Sequence, residues 1–279
     1  MKAFRSKLFV PCSRPELFAK ALAGDADALS FDLEDAVPEA AKAAAREALA
    51  ALLRSDAVRG SNKTLIVRVN PIGSPHFDAD LEVLAGGRVD LVNLPKAEAA
   101  DDILRTAAAL DAAGVAAPLL VNIETARGLL VAPVIAGAHP RVAGVQVGLN
   151  DLFAELGADR ADPRHVHAAL WQVRVASAAA GCFAYDGAWP DLADADGFRR
   201  EAELARSLGF MGKSCVHPRQ VPIANAVFAR DGEPAAARRL LVAAEEAEAA
   251  GHGAFRLDGR MVDRPMIEAA RAMLKAAGE

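Results

Sequence analysis

The sequence is poor in cysteine, in aromatic side chains and in positive charge. Of its 279 residues, three are cysteines (Cys12, Cys182 and Cys215) and 5% are aromatic. An odd number of cysteines without metal-type spacing excludes a disulfide framework and favours a reducing compartment. A formal net charge of −5 gives no basic field for nucleic acid or for an anionic membrane. The scarcity of aromatics also disfavours a base-stacking platform.

Long hydrophobic runs are missing as well. The run Leu8-Phe9-Val10 stops at Pro11, which is too short for a signal-peptide core. No stretch approaches the roughly 18 apolar residues of a membrane span. We therefore expect a cytoplasmic protein that binds neither nucleic acid nor membrane. The 53% hydrophobic content still predicts a full core.

Short apolar runs alternate with alanine-rich helical stretches along most of the chain. Such alternation predicts a parallel sheet, and eight strands in so few residues favour a closed (β/α)₈ TIM barrel, which typically needs about 250 residues. The missing Gly-x-Gly-x-x-Gly fingerprint disfavours a dinucleotide-binding fold. The predicted strands are 6–11, 28–34, 64–70, 91–96, 118–124, 142–148, 182–186 and 212–217. The predicted helices are 14–23, 39–53, 101–113, 129–138, 163–180, 197–208 and 220–229.

The pattern changes near Asp231-Gly232-Glu233-Pro234. A helix over 235–250, a turn-containing segment over 255–262 and a last helix from Pro265 exceed what eight βα units need. We therefore divide the chain into a barrel, 1–230, and a C-terminal lid or extension, 231–279. The extension is either a packing appendage or a cover for one mouth of the barrel.

Ionisable residues stand where the predicted strands end. In barrels, catalytic residues lie at the C-terminal ends of several strands. Carboxylates without a suitably placed histidine or cysteine suit a hard cation such as Mg²⁺, whereas an acid–arginine network that ties the rim together would use the same residue types. The residues concerned are the acids Glu34, Asp35, Glu124 and Asp151 together with Arg68.

Eight short motifs occur in a characteristic order over nearly the whole chain. Together they resemble the citrate lyase β-subunit family of the HpcH/HpaI aldolase superfamily, relatives of malyl-CoA and citramalyl-CoA lyases. The motifs are Leu-Phe-Val-Pro at 8–11, Asp-Leu-Glu-Asp-Ala-Val at 32–37, Arg-Val-Asn at 68–70, Leu-Pro-Lys at 94–96, Ile-Glu-Thr-Ala-Arg-Gly at 123–128, Gly-Leu-Asn-Asp-Leu at 148–152, Gly-Lys-Ser-Cys-Val-His-Pro at 212–218 and Asp-Gly-Arg-Met-Val-Asp at 258–263.

The resemblance implies a Mg²⁺-dependent lyase that cleaves an acyl-CoA or acyl-carrier thioester by retro-Claisen chemistry. It implies that Glu124 and Asp151 bind Mg²⁺ directly and that Arg68 binds the substrate's carboxylate and thioester oxygen. Glu34 and Asp35 would hold the ion's waters and orient their neighbours. The implied substrate is a 3-hydroxyacyl-CoA such as citryl-, malyl- or citramalyl-CoA.

The resemblance also assigns roles outside the strand ends. Asp263 matches the lid acid that reaches a neighbouring subunit's active site, which implies a homo-oligomer, a trimer or a hexamer; a helix N-cap before Pro265 is the alternative. Arg14 is a candidate phosphate contact or a solvated helix-end charge, and Lys96 is a further candidate for substrate or CoA binding.

Two departures bear on the alternatives. Cys12 stands where many relatives have glycine, close to the implied pantetheine path. Asp35 stands where aldolases that use free pyruvate have histidine, which favours the thioester branch. The alternatives are a class II pyruvate-type aldolase acting without CoA and the β subunit of a citrate lyase complex acting on a carrier-protein thioester.

Overall fold

The computed structural model describes residues 3–277, which fall into two units. One unit comprises residues 4–228, and the described part of the other comprises Ala3 and residues 229–277. The sequence pattern predicted the boundary between the barrel and the C-terminal extension at 230/231. The ends of the predicted ranges, residues 1, 2, 278 and 279, lie outside the described residues.

The first unit contains all eight predicted strands. Almost every strand residue is buried, as expected for parallel strands covered on both faces. Several strands end one or two residues before the predicted limit, because polar residues there turn into the loops. The strands are β1 (Ser6–Pro11), β2 (Ala28–Asp32), β3 (Thr64–Arg68), β4 (Leu91–Leu94), β5 (Leu119–Ile123), β6 (Val142–Val147), β7 (Phe183–Tyr185) and β8 (Lys213–Cys215).

The strands form a closed barrel. Neighbours pair in parallel in the order β7-β6-β5-β4-β3-β2-β1-β8. Asp186 closes the ring, because its N–H donates to Gly212 O at 3.0 Å and its carbonyl accepts from Ser214 N at 3.1 Å. The predicted (β/α)₈ TIM barrel is confirmed.

Helices surround the barrel and bury their apolar sides against it. Three of them were missing from the sequence prediction: the four-residue helix Asp56–Arg59 and the eight-residue helices Phe77–Leu84 and Leu149–Leu156. The helices are α1 (Phe18–Ala23), α2 (Lys42–Leu53), α3 (Asp56–Arg59), α4 (Phe77–Leu84), α5 (Ala100–Ala112), α6 (Ala126–Leu130), α7 (Ala132–Ala136), α8 (Leu149–Leu156), α9 (Pro163–Ala179), α10 (Ala195–Ser207) and α11 (Val221–Val227). Short 3₁₀ turns cover Pro15–Leu17, Glu39–Ala41 and Pro218–Gln220.

The barrel interior is apolar at one end and polar towards the other. An apolar cluster is built from Phe4, Ala28, Ile66, Leu91, Leu120 and Tyr185, most of which lie in the first half of a strand or just before it. Further along the strands, the buried residues Lys7, Asn93, Asn122 and Gln146 bring polar groups inside. This gradient leads to the carboxyl ends of the strands, where the charged residues lie.

The C-terminal unit contains α12 (Glu233–Ala249), the antiparallel strands β9 (Phe255–Leu257) and β10 (Arg260–Val262), and α13 (Arg264–Ala277). Asp258 and Gly259 have φ values of +48° and +80°, which fits the tight turn that joins β9 to β10. Among residues 3–277, no helix has the length and apolarity that crossing a membrane would require.

Candidate active site at the carboxyl ends of the barrel strands

A cavity of about 370 Å³ opens at the carboxyl ends of the barrel strands. This is the end at which TIM-barrel enzymes carry their active sites. Four of the predicted site residues line it: Asp35, Arg68, Glu124 and Asp151. The other lining residues are Phe9, Pro11, Asp32, Ala36, Asn122, Gln146, Val147, Gly148, Leu149, Asn150, Ala188 and Val216.

Arg68, the last residue of β3, is held by two carboxylates. Its Nε and Nη2 donate to the two carboxylate oxygens of Asp32 at 2.8 and 2.6 Å, and its Nη1 lies 2.7 Å from Glu34 Oε2. These anions raise the pKa of Arg68, so its charge is permanent. A guanidinium has five N–H groups, so one on each terminal nitrogen is left for a ligand. Arg68 is therefore a fixed cation with donors to spare at the cavity wall.

Glu34 lies behind Arg68, only 3% exposed, between that guanidinium and Lys96. Lys96 Nζ donates to Glu34 Oε1 at 2.6 Å and to Asp35 Oδ1 at 3.4 Å. Burial raises the pKa of Glu34 to about 7, although both neighbouring cations favour its ionised form. Glu34 therefore orients Arg68 and Lys96 from outside the cavity lining, while Asp35 reaches the cavity itself.

Glu124 follows β5 and turns its carboxylate into the barrel mouth. Its Oε1 accepts from Lys96 N at 2.8 Å, and Lys96 has the unusual φ of +51° that aims this N–H. Gly148 leaves the space that Glu124 needs, because a Cβ at position 148 would lie 2.3 Å from Glu124 Cβ and 2.5 Å from Oε2. Burial, with the nearby Asp151 carboxylate, raises the pKa of Glu124.

The donor set fits a divalent cation held by few protein ligands. Five carboxylates (Asp32, Glu34, Asp35, Glu124 and Asp151) lie around Arg68 and Lys96. Asp151 is exposed in the first turn of α8 and shares the cavity with Glu124. In the described chain, no three His, Cys, Asp or Glu residues form a closed metal cage. Mg²⁺ suits such a site, since it usually takes one or two carboxylates and keeps the rest of its shell for water and substrate.

Four predicted site residues do not line the cavity. Glu34 and Lys96 lie behind it. Arg14 pairs with the exposed Glu16 at 2.8 Å, before a three-residue 3₁₀ turn, and has no place in the cavity lining. Asp263 belongs to the C-terminal unit, where it is exposed and its carbonyl accepts from the N–H groups of Met266 and Ile267 in the first turn of α13.

Four polar residues of the cavity were absent from the predicted site: Asp32, Asn122, Gln146 and Asn150. Asp32 provides the bidentate contact to Arg68, and Asn122 lies 3.5 Å from Glu124 through its Nδ2. The sequence carries a signal for Asn122 and Gln146, because each interrupts an otherwise apolar strand. Period-2 alternation puts Asp32 on the same strand face as Ala28 and Ser30.

Cys12 is fully buried in the apolar core outside the cavity lining. Its N–H donates to Asp32 O at 3.0 Å, so this backbone connects the loop after β1 to the end of β2. The thiol replaces glycine without entering the cavity.

The comparisons with known proteins agree with this geometry. The family described as HpcH/HpaI aldolase/citrate lyase matches residues 5–218. A "(3S)-malyl-CoA thioesterase" from Cereibacter sphaeroides is 40% identical, covering 98% of this chain and 94% of that protein. A "Citrate lyase subunit beta-like protein" from Mycobacterium tuberculosis is 38% identical, covering 98% and 95%.

A solved structure extends the likeness to the fold. CitE from Mycobacterium tuberculosis, in complex with magnesium, acetoacetate and coenzyme A, is 36% identical, covers 99% of both chains and has a TM-score of 0.76.

Proposed function

The chain belongs to the HpcH/HpaI aldolase/citrate lyase family, and on that premise we propose that it is a Mg²⁺-dependent carbon–carbon lyase acting on a 3-hydroxyacyl-CoA thioester. A malyl-, citramalyl- or citryl-CoA is the proposed substrate class. The observation that carries the proposal is one cavity that combines Arg68 with Glu124 and Asp151. The CoA-bound and Mg²⁺-bound relative supports both ligands.

Glu124 and Asp151 are the proposed ligands of the ion. Bound Mg²⁺ supplies Lewis acidity and a template for the hydroxyl and carboxylate oxygens of the substrate. The hydrogen bond from Lys96 N fixes the Glu124 carboxylate, which keeps its second oxygen in the cavity. Asp151 lies at the exposed side, where exchange of water and substrate is easiest.

Arg68 stabilises the charge that develops during cleavage. When the carbon–carbon bond breaks, the hydroxyl gives its proton to solvent water and becomes a carbonyl, and the bonding electron pair moves onto the thioester as an enolate. The free N–H groups of Arg68 donate to the enolate oxygen of the thioester, while Asp32 and Glu34 keep the guanidinium in place. Losing one such donor typically costs about 2.7–4 kcal/mol of barrier.

Asp263 is the proposed acid that protonates the enolate carbon, or the base that removes this proton in the condensing direction. It is carried by the C-terminal unit and is exposed. We propose that it acts from a lid in the active site of a neighbouring subunit. A lid also keeps water from the enolate.

The proposal is tested by offering malyl-, citramalyl- and citryl-CoA with Mg²⁺ or with a chelator, and resolving the products by chromatography. We expect acetyl-CoA and a 2-oxo acid only with the ion. Glu124→Gln and Asp151→Asn keep the shape of each side chain and should each lower kcat/KM by at least 100-fold with unchanged folding. Cleavage that persists in the chelator or in both variants contradicts the proposal.

Three other outcomes of this assay would favour a different function. Release of free CoA without carbon–carbon cleavage would favour thioester hydrolysis, the activity named for the Cereibacter sphaeroides relative. Cleavage of free hydroxy-oxo acids alone would favour a pyruvate-type aldolase. Activity only on a carrier-bound thioester would favour a subunit like the "Citrate lyase subunit beta" of Haemophilus influenzae, which is 35% identical over 99% of this chain.

Arg68→Lys tests the role of the guanidinium separately. Lysine keeps the positive charge between Asp32 and Glu34 but cannot make the bidentate contact and still present two further N–H groups. We expect kcat to fall by about 10²–10³-fold, in line with the loss of one oxyanion donor. Mg²⁺ affinity should change little. An unchanged kcat would remove Arg68 from the mechanism.

A further inference from the structure

Lys7 is a cation where TIM barrels normally pack aliphatic side chains. It lies on β1, has no exposed surface, and is neighboured in register by Ala28 and Ser214. Its Nζ lies 4.4 Å from the centre of the Phe9 ring. Within residues 3–277, no carboxylate stands within ion-pair distance of it. Burying an amine without a counter-ion is costly, so the position calls for an explanation beyond packing.

Lys7 Nζ donates a hydrogen bond to Gln146 Oε1. The single hydroxyl hydrogen of Ser214, which lies 3.5 Å from the same oxygen, goes to Asp186 O at 3.0 Å, so Lys7 is the donor that holds the Gln146 amide. Burial lowers the pKa of Lys7, but a lysine amine has N–H donors in both protonation states, so the contact with Oε1 persists.

With Oε1 fixed in this way, the amide nitrogen must point elsewhere. Gln146 is 3% exposed and lines the cavity. In the described chain its Nε2 has no hydrogen-bond partner, and Nε2 is not among the fully enclosed polar atoms such as Ser30 Oγ. The amide therefore presents an unused N–H₂ donor to the cavity.

This donor complements Arg68 across the same cavity. Arg68 offers two N–H groups and a fixed charge, and Gln146 offers a neutral N–H₂ group. The Phe9 ring contacts both basic side chains, because Arg68 Cζ lies 4.9 Å from the ring centre and Lys7 Nζ lies over the same ring. Two donor groups of this kind match an oxygen-rich anion such as a 2-oxo carboxylate.

We propose that Gln146 is a substrate-binding residue that donates from Nε2 to an oxygen of the 2-oxo acid portion of the substrate, and that Lys7 positions Gln146 by holding its amide oxygen. The proposal rests on the proposed function for its ligand class. It adds a binding residue and a buried positioning residue to the site.

The test measures binding of oxaloacetate in the presence of Mg²⁺ by isothermal titration calorimetry, in the full chain. Gln146→Met removes the donor. Gln146→Glu keeps an oxygen for Lys7 but replaces the donor with an anion. Ser30→Ala is the matched control. Ser30 lies on β2, beside the strand that carries Lys7, and its buried hydroxyl has no hydrogen-bond partner in the described chain.

A hydrogen bond to a charged group is typically worth about 10- to 100-fold in affinity. We therefore expect Kd for oxaloacetate to rise by about that factor in Gln146→Met, by at least as much in Gln146→Glu, and not in Ser30→Ala. Lys7→Met should weaken oxaloacetate as well. The affinity for Mn²⁺ alone, measured by electron paramagnetic resonance, should stay unchanged in Gln146→Met and Ser30→Ala, which a merely structural disturbance would not ensure.

Two failures are distinguishable. Wild-type binding of oxaloacetate that is unaltered by Gln146→Met and Gln146→Glu overturns the inference and leaves the proposed function standing. A wild-type chain that binds Mn²⁺ but none of oxaloacetate, glyoxylate and pyruvate, the 2-oxo acids released from the three proposed substrates, overturns both. If Lys7→Met alone has no effect, the positioning role of Lys7 is wrong.

Discussion

Single residues at this site show a compromise between function and local conformation, and Lys96 is one example. Its φ of +51° is uncommon for a residue with a Cβ, and it directs the N–H to Glu124. A left-handed conformation costs about 1–2 kcal/mol for most residues. Lys96→Gly and Lys96→Ala both remove the amine, so we expect the glycine variant to be more stable by about 1 kcal/mol. Urea unfolding of both variants measures this, and equal stability would contradict it.

At Gly148 the site requires a residue without a side chain. A methyl group would overlap Glu124. We expect Gly148→Ala to displace the carboxylate and to lower Mg²⁺ affinity by at least tenfold, measured by titration calorimetry. Gly60→Ala is a suitable control, since a Cβ there meets only Asp56 O at an ordinary 3.5 Å. Tight ion binding by Gly148→Ala would show that the carboxylate can move.

At the residue scale, the sequence identified the ionisable groups better than their contacts. Arg68, Glu124 and Asp151 were predicted from their positions after strands, and all line the cavity. Asp32 was missed because three acids lie within four residues, and sequence spacing does not reveal which one meets Arg68. Gln146 was missed because a neutral amide in an apolar strand carries a weak signal.

Among the elements, β7, β8 and α10 are joined by a buried charge cluster. Lys213 Nζ lies 2.7 Å from both Asp186 Oδ2 and Glu201 Oε1, and all three side chains are almost fully buried. Burial raises the pKa of Asp186 to about 6 despite the attraction of Lys213. The neighbouring Glu201 carboxylate adds to the effect of burial on this pKa.

The raised pKa predicts a pH dependence of stability. An acid whose pKa is higher in the folded chain contributes stability that is complete below its unfolded pKa of about 3.9 and is lost as the pH rises through 6. Asn cannot ionise, so we expect the Tm difference between wild type and Asp186→Asn to shrink by several degrees from pH 4 to pH 7. Circular dichroism measures it, and parallel Tm curves would refute the assignment.

Element prediction succeeded where hydrophobic periodicity was long enough. Most strands are dominated by buried apolar residues, with the three-residue Lys-Ser-Cys strand β8 as an exception, and the 17-residue α9 was predicted to within one residue. The eight-residue helices α4 and α8 were missed because each offers little more than two turns of pattern. In α8 the polar Asn150-Asp151 pair was interpreted as rim residues that follow the sixth strand, although Leu149, Leu152 and Phe153 form the buried side of a helix.

For the whole molecule, the predicted homo-oligomer has a candidate surface on the barrel unit. Leu130 and Val134 of the α6–α7 segment, and Trp171 and Val175 of α9, are large apolar side chains at four-residue spacing, and all four are exposed. Exposed apolar clusters commonly mark protein–protein interfaces. We expect this surface to be buried between copies of the chain.

Leu130→Glu with Trp171→Glu introduces two charges into that surface, and a buried unpaired charge costs several kcal/mol. We therefore expect wild type to sediment as a trimer or hexamer and the double variant as a monomer with an unchanged far-ultraviolet spectrum. If Asp263 acts across subunits, the monomer also loses turnover while it still binds Mg²⁺. A control pair, Lys20→Glu with Arg199→Glu, changes charge at exposed positions of other helices and should leave the mass unchanged. A double variant of undiminished mass would show that the copies, if they associate, meet through another surface.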